Sequence, residues 1–192
     1  MRRIDYNAPV ILTFSLLAVA VFIMGQLMPV FIGRYFLVRS SMNLLNPLDY
    51  FRLISHVLGH GSVPHLVGNL TLILLLGPIL EEKYGSVSLL GMILVTALVT
   101  GIINVLFFSS GLLGASGIVF MLIILVSIVD LEAGLIPLTF VLVVVIFLGG
   151  ELVNIFRSDN ISQMSHIIGG AAGAFFGFRA PHHPATSKQV KF

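Results

Sequence analysis

The amino-acid sequence predicts an all-α integral membrane protein, a bundle of six transmembrane helices with a long first loop on the outer side and a short fourth helix. Three observations predict it. Charged residues make up only 9% of the chain and apolar residues 57%, whereas a soluble domain carries about a quarter charged residues, so water is not the solvent for most of the surface. The mean hydropathy of +1.08 comes from repeated apolar runs of about 20 residues, the length a helix needs to cross a hydrocarbon layer of about 30 Å. One run, Ser116 to Val129, is too short to cross.

The first span is expected from Pro9 to Ile32, with Pro9 acceptable in the first turn because its missing N–H has no intrahelical partner there. Basic residues precede it, but the apolar run is too long for a signal-peptide core and no small-residue cleavage site stands out, so it reads as a retained helix. Residues 33–64 mix Arg34, Arg39, Asn43, Pro47, Asp49 and Arg52 with Tyr35, Phe36, Leu44, Tyr50 and Phe51, the composition of a long loop with short amphipathic pieces lying in the interface. The second helix is expected from His65 to Leu80, closed by Glu81, Glu82, Lys83 and Gly85, and the third from Ser86 to Phe108. The fourth runs from Ser116 to Val129 and stops at Asp130 and Glu132, the fifth extends from Leu135 to Asn154, and the sixth from Ser162 to Phe178. A polar tail, 179–192, follows, and the whole of 1–192 is expected to be one membrane domain with its core over about 9–178 and no soluble appendage.

Six spans put both termini on one side. The Lys and Arg bias assigns that side to the cytoplasm, with Arg2, Arg3, Lys83, Arg179, Lys188 and Lys191 inside against Arg34, Arg39, Arg52 and Arg157 outside. The expected location is the cell membrane, the first loop and the start of the fourth helix facing outward. At 1.5 Å per residue, Ser116 to Val129 covers about 21 Å. With Asp130 and Glu132 at the inner headgroups, Ser116 lies roughly 10 Å beneath the outer surface. Non-helical backbone at 111–115 is tolerated at that depth only when covered by protein or lining a wet cavity, so a water-filled pocket opening outward follows.

Cysteine is absent, which excludes disulfides, a thiol nucleophile and thiolate metal sites. The net charge of +2 and the pI near 9.2 arise from a few terminal and loop residues and fit lipid headgroups rather than nucleic acid.

Ser116 sits in Gly114-Ala115-Ser116-Gly117, at the turn into the short helix. The glycines allow a tight turn, and the first-turn N–H groups have no intrahelical partners and are available to a developing oxyanion. Alone, the tetrapeptide is more often a helix-packing contact, and its chemistry depends on a base. His166 supplies one. It lies in the sixth span, followed by Gly169, Gly170, Gly173 and Gly177, small residues that let another helix approach closely. An ionisable side chain inside a span points to function, and an imidazole within reach of a serine makes a nucleophile–base pair. No third carboxylate is needed: Asp159 falls in a loop and Glu151 near the outer end of the fifth helix.

His65 and Asn69, four apart on the second helix, point the same way and are candidate oxyanion donors. His56 and His60 share that spacing, for which zinc ligation and structural hydrogen bonding compete. The glutamate of His-Glu-x-x-His is missing, since Val57 follows His56, so structural hydrogen bonding is favoured and no metal is expected. Asn104, Glu151 and Asn154 read as interhelical glue or mouth-lining groups, Glu82 as a solvated headgroup-level charge, and His182 and His183 as part of the polar tail.

The run His56-x-x-x-His60-x-x-x-x-His65-x-x-x-Asn69, then Glu81 and Tyr84-Gly85, then Gly114-Ala115-Ser116-Gly117, and finally Ser165-His166-x-x-Gly169 resembles the rhomboid family in order and spacing, from about Arg52 to Gly177. The resemblance implies a six-helix core and an intramembrane serine protease. In it Ser116 attacks, His166 carries the proton, and His65, Asn69 and the Ser116 N–H hold the oxyanion. It also implies a structural hydrogen-bond role for Glu81, a first loop partly in the outer leaflet, and a mobile fifth helix or capping loop near Phe156 to Ile161 that gates substrate. Where many members have Trp-Arg this chain has Phe51-Arg52, and where members often have Tyr four residues after the nucleophile it has Phe120. Phe120 keeps a ring face for the imidazole without the hydroxyl. Gly114, Gly117, Gly169, His56, His60, Arg52, Glu81 and Phe120 are the expected supporting residues. The expected partners are membrane-protein substrates and the bilayer, with no cofactor. The competing readings are a non-catalytic rhomboid-like binder of membrane helices, and a small transporter, against which the lack of an internal repeat counts.

Overall fold

The computed structural model describes residues 5–128, 138, 141, 142, 145, 146 and 160–179, with side chains of the last helix from Gln163 onward. Outside the described residues lie Arg2 and Arg3, the anchors Asp130 and Glu132, and the tail with His182, His183, Lys188 and Lys191. So do Glu151, Asn154, Arg157, Asp159 and the 156–159 part of the capping loop. Of the predicted fifth span only residues 138, 141, 142, 145 and 146 are described, and they are helical.

The described chain is helical, in the order α1 (Pro9–Leu27), α2 (Val30–Tyr35), α3 (Pro47–Ser55), a 3-10 turn (His56–Leu58), α4 (Val63–Tyr84), α5 (Ser86–Phe107), α6 (Ser116–Ile128) and α7 (Asn160–Arg179). Local signals explain most boundaries. Pro9 opens α1, and α1 ends before the expected Ile32 because Pro29 forces Met28 into extended backbone at φ −130° and ψ 94°. The chain then turns into α2. Asn46 caps α3 by accepting from the Leu48 N–H at 3.1 Å, with Pro47 in the first turn. The expected second helix gains residues at both ends: Ser62 caps it through the His65 N–H at 3.3 Å, and it continues through Glu81 to Tyr84. It stops at Gly85, whose φ of 79° suits a residue without a β-carbon.

Among the described residues, α1, α4 and α5 are long and apolar enough to cross a membrane. They carry large exposed apolar side chains such as Leu16, Leu75 and Val87, a surface suited to hydrocarbon rather than water. Innermost is α6, whose Met121, Leu122, Leu125 and Ile128 are fully inaccessible, and it packs against α4, α5 and α7. The 22 residues of α5 rise about 33 Å, while the 13 residues of α6 rise about 20 Å. The innermost helix is therefore the short one.

Glu81, only 4% exposed, joins three elements. Its carboxylate accepts from the Val10 and Ile11 N–H groups at 2.9 and 3.1 Å and from the Ser86 hydroxyl at 2.6 Å. The start of α1 has no cap of its own, so Glu81 caps it from across the bundle, where the positive end of the helix dipole favours an anion. Glu81→Ala is expected to cost about 3 kcal/mol, the scale of losing a helix cap and leaving buried donors unsatisfied, read as a lower unfolding midpoint in detergent. Glu81→Gln recovers part of the loss.

The same contacts set direction. The start of α1, the end of α4 and the start of α5 share one face, called here the α1 N-terminal face. Glycines on α7 then align it with α6: a β-carbon on Gly169 would run into the Gly117 carbonyl, one on Gly173 would stand 2.5 Å from the Met121 carbonyl oxygen, and one on Gly177 would strike Ile128. The partners advance together along both chains, so α6 and α7 are parallel.

Candidate active site

Ser116 begins α6, and its approach loop is stitched down on every side. The Asn104 side chain donates to the Ser110 carbonyl at 3.1 Å. Val38 and Leu112 exchange backbone bonds of 3.1 and 3.0 Å, and the Gly114 N–H donates to the His56 carbonyl at 3.0 Å. The non-helical backbone before Ser116 thus has protein partners, the condition under which such backbone is tolerated inside a membrane. Gly114 sits at φ +117°, and a β-carbon there would be 2.5 Å from Cε1 of His65. Its conformation and the nearness of the imidazole both demand glycine.

Beyond this loop, the α6–α7 crossing brings two distant parts of the sequence together. A β-carbon on Gly117 would stand 3.2 Å from the Ser165 carbonyl oxygen. Ser116 and His166 are therefore each one residue from the point where the helices meet. Phe120, one turn beyond Ser116, packs its ring on the His166 imidazole with centroids 4.1 Å apart and planes tilted by 36°. Ser116, Phe120 and His166 are all half-buried. His65, at the start of α4, is half-buried too and lies within electrostatic range of His166.

Behind these groups stands a buried layer of imidazoles and amides. The His60 Nδ1 lies 3.2 Å from the Leu58 carbonyl, and its Nε2 lies 3.0 Å from Nδ2 of Asn69. A carbonyl only accepts, so Nδ1 donates, and the neutral ring then accepts the Asn69 N–H on Nε2. That bond orients the Asn69 amide while leaving its oxygen and second N–H uncommitted by His60. His60 also meets the His65 ring edge-on at 5.0 Å. His56 donates from Nε2 to the Ala97 carbonyl at 3.1 Å, with the Thr100 hydroxyl 3.4 Å away. Three of the four ring nitrogens of His56 and His60 are thus engaged, and among the described residues no three His, Cys, Asp or Glu side chains are grouped to hold a metal ion.

Burial pushes the pKa of His56 down to about 4 against the opposing pull of the Ala97 carbonyl. His60 falls to about 4 as well, through burial and then the nearby charge of His65. Both lie in the first loop, outside the spans. In the folded protein they refuse protons that the unfolded chain takes up near pH 6.5. Stability is therefore expected to be level above about pH 7 and to decline as the pH drops from about 6.5 toward 4. Melting in detergent across this range checks it, and His60→Gln makes the decline shallower.

Arg52 stands apart from this cluster. It is buried in the first loop, paired with Asp49, and its Nε donates to the Arg34 carbonyl at 2.9 Å, holding the end of α2 against α3. Several supporting groups carried no signal in the sequence: Thr100 behind His56, and the carbonyls of Leu58, Ala97 and Ser165. Backbone acceptors are present at every residue, and only the fold selects which of them matter.

Compared with known families, residues 47–182 match the Rhomboid domain model, a stretch that contains every residue of the cluster. A comparison with curated proteins gave no match.

Proposed function

This chain belongs to the rhomboid family, and from that premise we propose that it is an intramembrane serine endopeptidase cleaving transmembrane segments of other membrane proteins. The Ser116 Oγ attacks the scissile carbonyl carbon as its proton passes to the His166 imidazole. His65, the Asn69 amide and the Ser116 N–H stabilise the resulting oxyanion. The C–N bond breaks as His166 gives its proton to the leaving amine, and a water, deprotonated by the same imidazole, hydrolyses the acyl-enzyme. What supports the reading is the close approach of Gly117 to Ser165, each one residue from a member of the proposed dyad, with the Phe120 ring packed on the His166 imidazole.

The six-span topology belongs to the same proposal. Because α6 and α7 run parallel, the chain between residues 128 and 160 must return to the face where α6 began, and the apolar stretch Leu135 to Asn154 is long enough for that crossing. Both termini then lie in the cytoplasm and the site opens outward. A helical substrate has its carbonyls tied up in hydrogen bonds, so it must unwind locally, which favours segments weakened by Gly or Pro.

The test uses the full chain in detergent and in liposomes with a single-span substrate. Mass spectrometry is expected to find new fragments with the parent and none with Ser116→Ala. A fluorophosphonate probe labels the parent at Ser116 and fails on His166→Ala, and chelators leave cleavage intact. Labelling that survives in His166→Ala sinks the dyad. A parent that neither labels nor cleaves indicates a non-catalytic binder of membrane helices.

A further inference from the structure

Among the described residues, His60 is the only hydrogen-bond partner of the Asn69 side chain, with Nε2 3.0 Å from Nδ2. Both residues are buried, at 1% and 7% exposure. We propose that His60 is a positioning residue for the cleavage reaction: its bare Nε2 fixes which end of the Asn69 amide faces the oxyanion. The inference rests on the protease reading, in which Asn69 is a donor to that oxyanion.

A primary amide has two ends of nearly equal size and a two-fold terminal torsion, so shape alone does not choose between its orientations. His60 chooses. Its Nδ1 donates to the Leu58 carbonyl at 3.2 Å, which leaves Nε2 of the neutral ring with a lone pair and no proton. Burial keeps the ring neutral by pushing its pKa down to about 4. Were the amide reversed, its oxygen would face that lone pair, and two buried acceptors would be left without a donor. The Nδ2 end therefore turns to His60. Because the amide is planar, the direction of its second N–H is set by the first, and that second N–H is the one available to an oxyanion.

The surrounding loop holds the ring in place. Gly59, just before His60, is wedged: a β-carbon on it would strike Leu113 and stand 2.8 Å from Cβ of Phe36. The Gly59 N–H donates at 3.1 Å to the His56 carbonyl, the same oxygen that accepts the Gly114 N–H. One carbonyl thus ties the backbone before His60 to the loop before Ser116. His65, the other proposed side-chain donor, meets the His60 ring edge-on with centroids 5.0 Å apart and no hydrogen bond between them, so Asn69 is the donor that His60 directs. Orientation passes from the Leu58 carbonyl through the imidazole to the amide.

The test compares variants of the full chain in liposomes with a single-span substrate, at a temperature where each is folded. His60→Leu is expected to lower kcat by about 10- to 100-fold, less than the about 10²- to 10³-fold of losing an oxyanion donor outright, with KM within about twofold of the parent. His60→Gln, which keeps an acceptor near the Nε2 position, is expected to recover most of that loss. Added to Asn69→Ala, His60→Leu is expected to cost less than about twofold more, because its effect runs through the missing amide. An equal loss in both backgrounds, a loss carried by KM, or a glutamine variant as slow as the leucine one each overturns the positioning role. Nitrogen NMR of isotope-labelled histidines in detergent reads the ring itself, with the His60 signals assigned by their loss in His60→Gln. A protonated Nδ1 and a bare Nε2 are expected, and a protonated Nε2 overturns the proposal. Should His60→Leu not fold, the NMR result decides. A parent no faster than Ser116→Ala overturns the protease reading and the positioning role with it, whereas the other adverse outcomes overturn the positioning role alone.

Discussion

Replacing Ser116 with alanine is expected to lower peptide cleavage by about 10⁴- to 10⁶-fold, the scale on which a nucleophile–base pair fails as a unit. The substitution removes only a hydroxyl. Ala115 before it is wholly buried and Gly117 after it is pressed against α7, so the backbone has no reason to move and the melting temperature stays within about a degree or two of the parent. His166→Ala is expected to lose a similar factor, since without the imidazole nothing takes the serine proton or returns it to the leaving amine. The double variant is expected to be no worse than either single one, because the pair acts as one device. Turnover of a single-span substrate by the three variants checks this. Multiplying losses in the double variant would show that the two residues act independently and would end the dyad account.

The second large effect comes from a residue that touches no substrate. Gly169→Val is expected to lower cleavage by about 10²-fold or more and stability by about 3 kcal/mol. Its β-carbon would enter the Gly117 carbonyl, and backbone, unlike a flexible side chain, has no room to yield. The only relief is for α7 to slide off α6. Because His166 lies one turn before Gly169 on that helix, the slide carries the imidazole away from Ser116, and a displacement of about 1 Å is enough for such a loss. Gly91 supplies the control. It lies in the second turn of α5, and a β-carbon there meets nothing within 4 Å, so Gly91→Val leaves cleavage and melting near those of the parent. Equal damage from both substitutions would mean that valine harms these helices in general, not that the α6–α7 contact sets the site.

Particular residues show where a reading of the chain succeeds and where it stops. The onset of α1 at Pro9, the span of α5 from Ser86, and the start of the short helix at Ser116 are written locally, in proline, glycine and hydropathy. The end of α1 was legible too: Pro29 carried the signal, but the apolar run continued across it to Ile32 and concealed the break. Gly169, Gly173 and Gly177 advertised a close helix contact without naming the neighbour. That neighbour is α6, at Gly117, Met121 and Ile128. The family resemblance separates Glu81, with a structural hydrogen-bond role, from the solvated Glu82, but only the bundle supplies its partners, the first turn of α1 and Ser86.

By itself the sequence determined the solvent, the class of fold and the chemically able residues, because hydropathy, spacing and side-chain type are properties of the chain wherever it folds. Tertiary structure alone decided that His60 holds Asn69 and that Gly114 gives way to His65. It alone set α7 parallel to α6, so that a serine and a histidine 50 residues apart arrive at one crossing. Those decisions rest on contacts between backbone atoms and small side chains across helices. Such contacts depend on which surfaces pack closely, and nothing in the order of residues along one helix specifies which other helix will meet it.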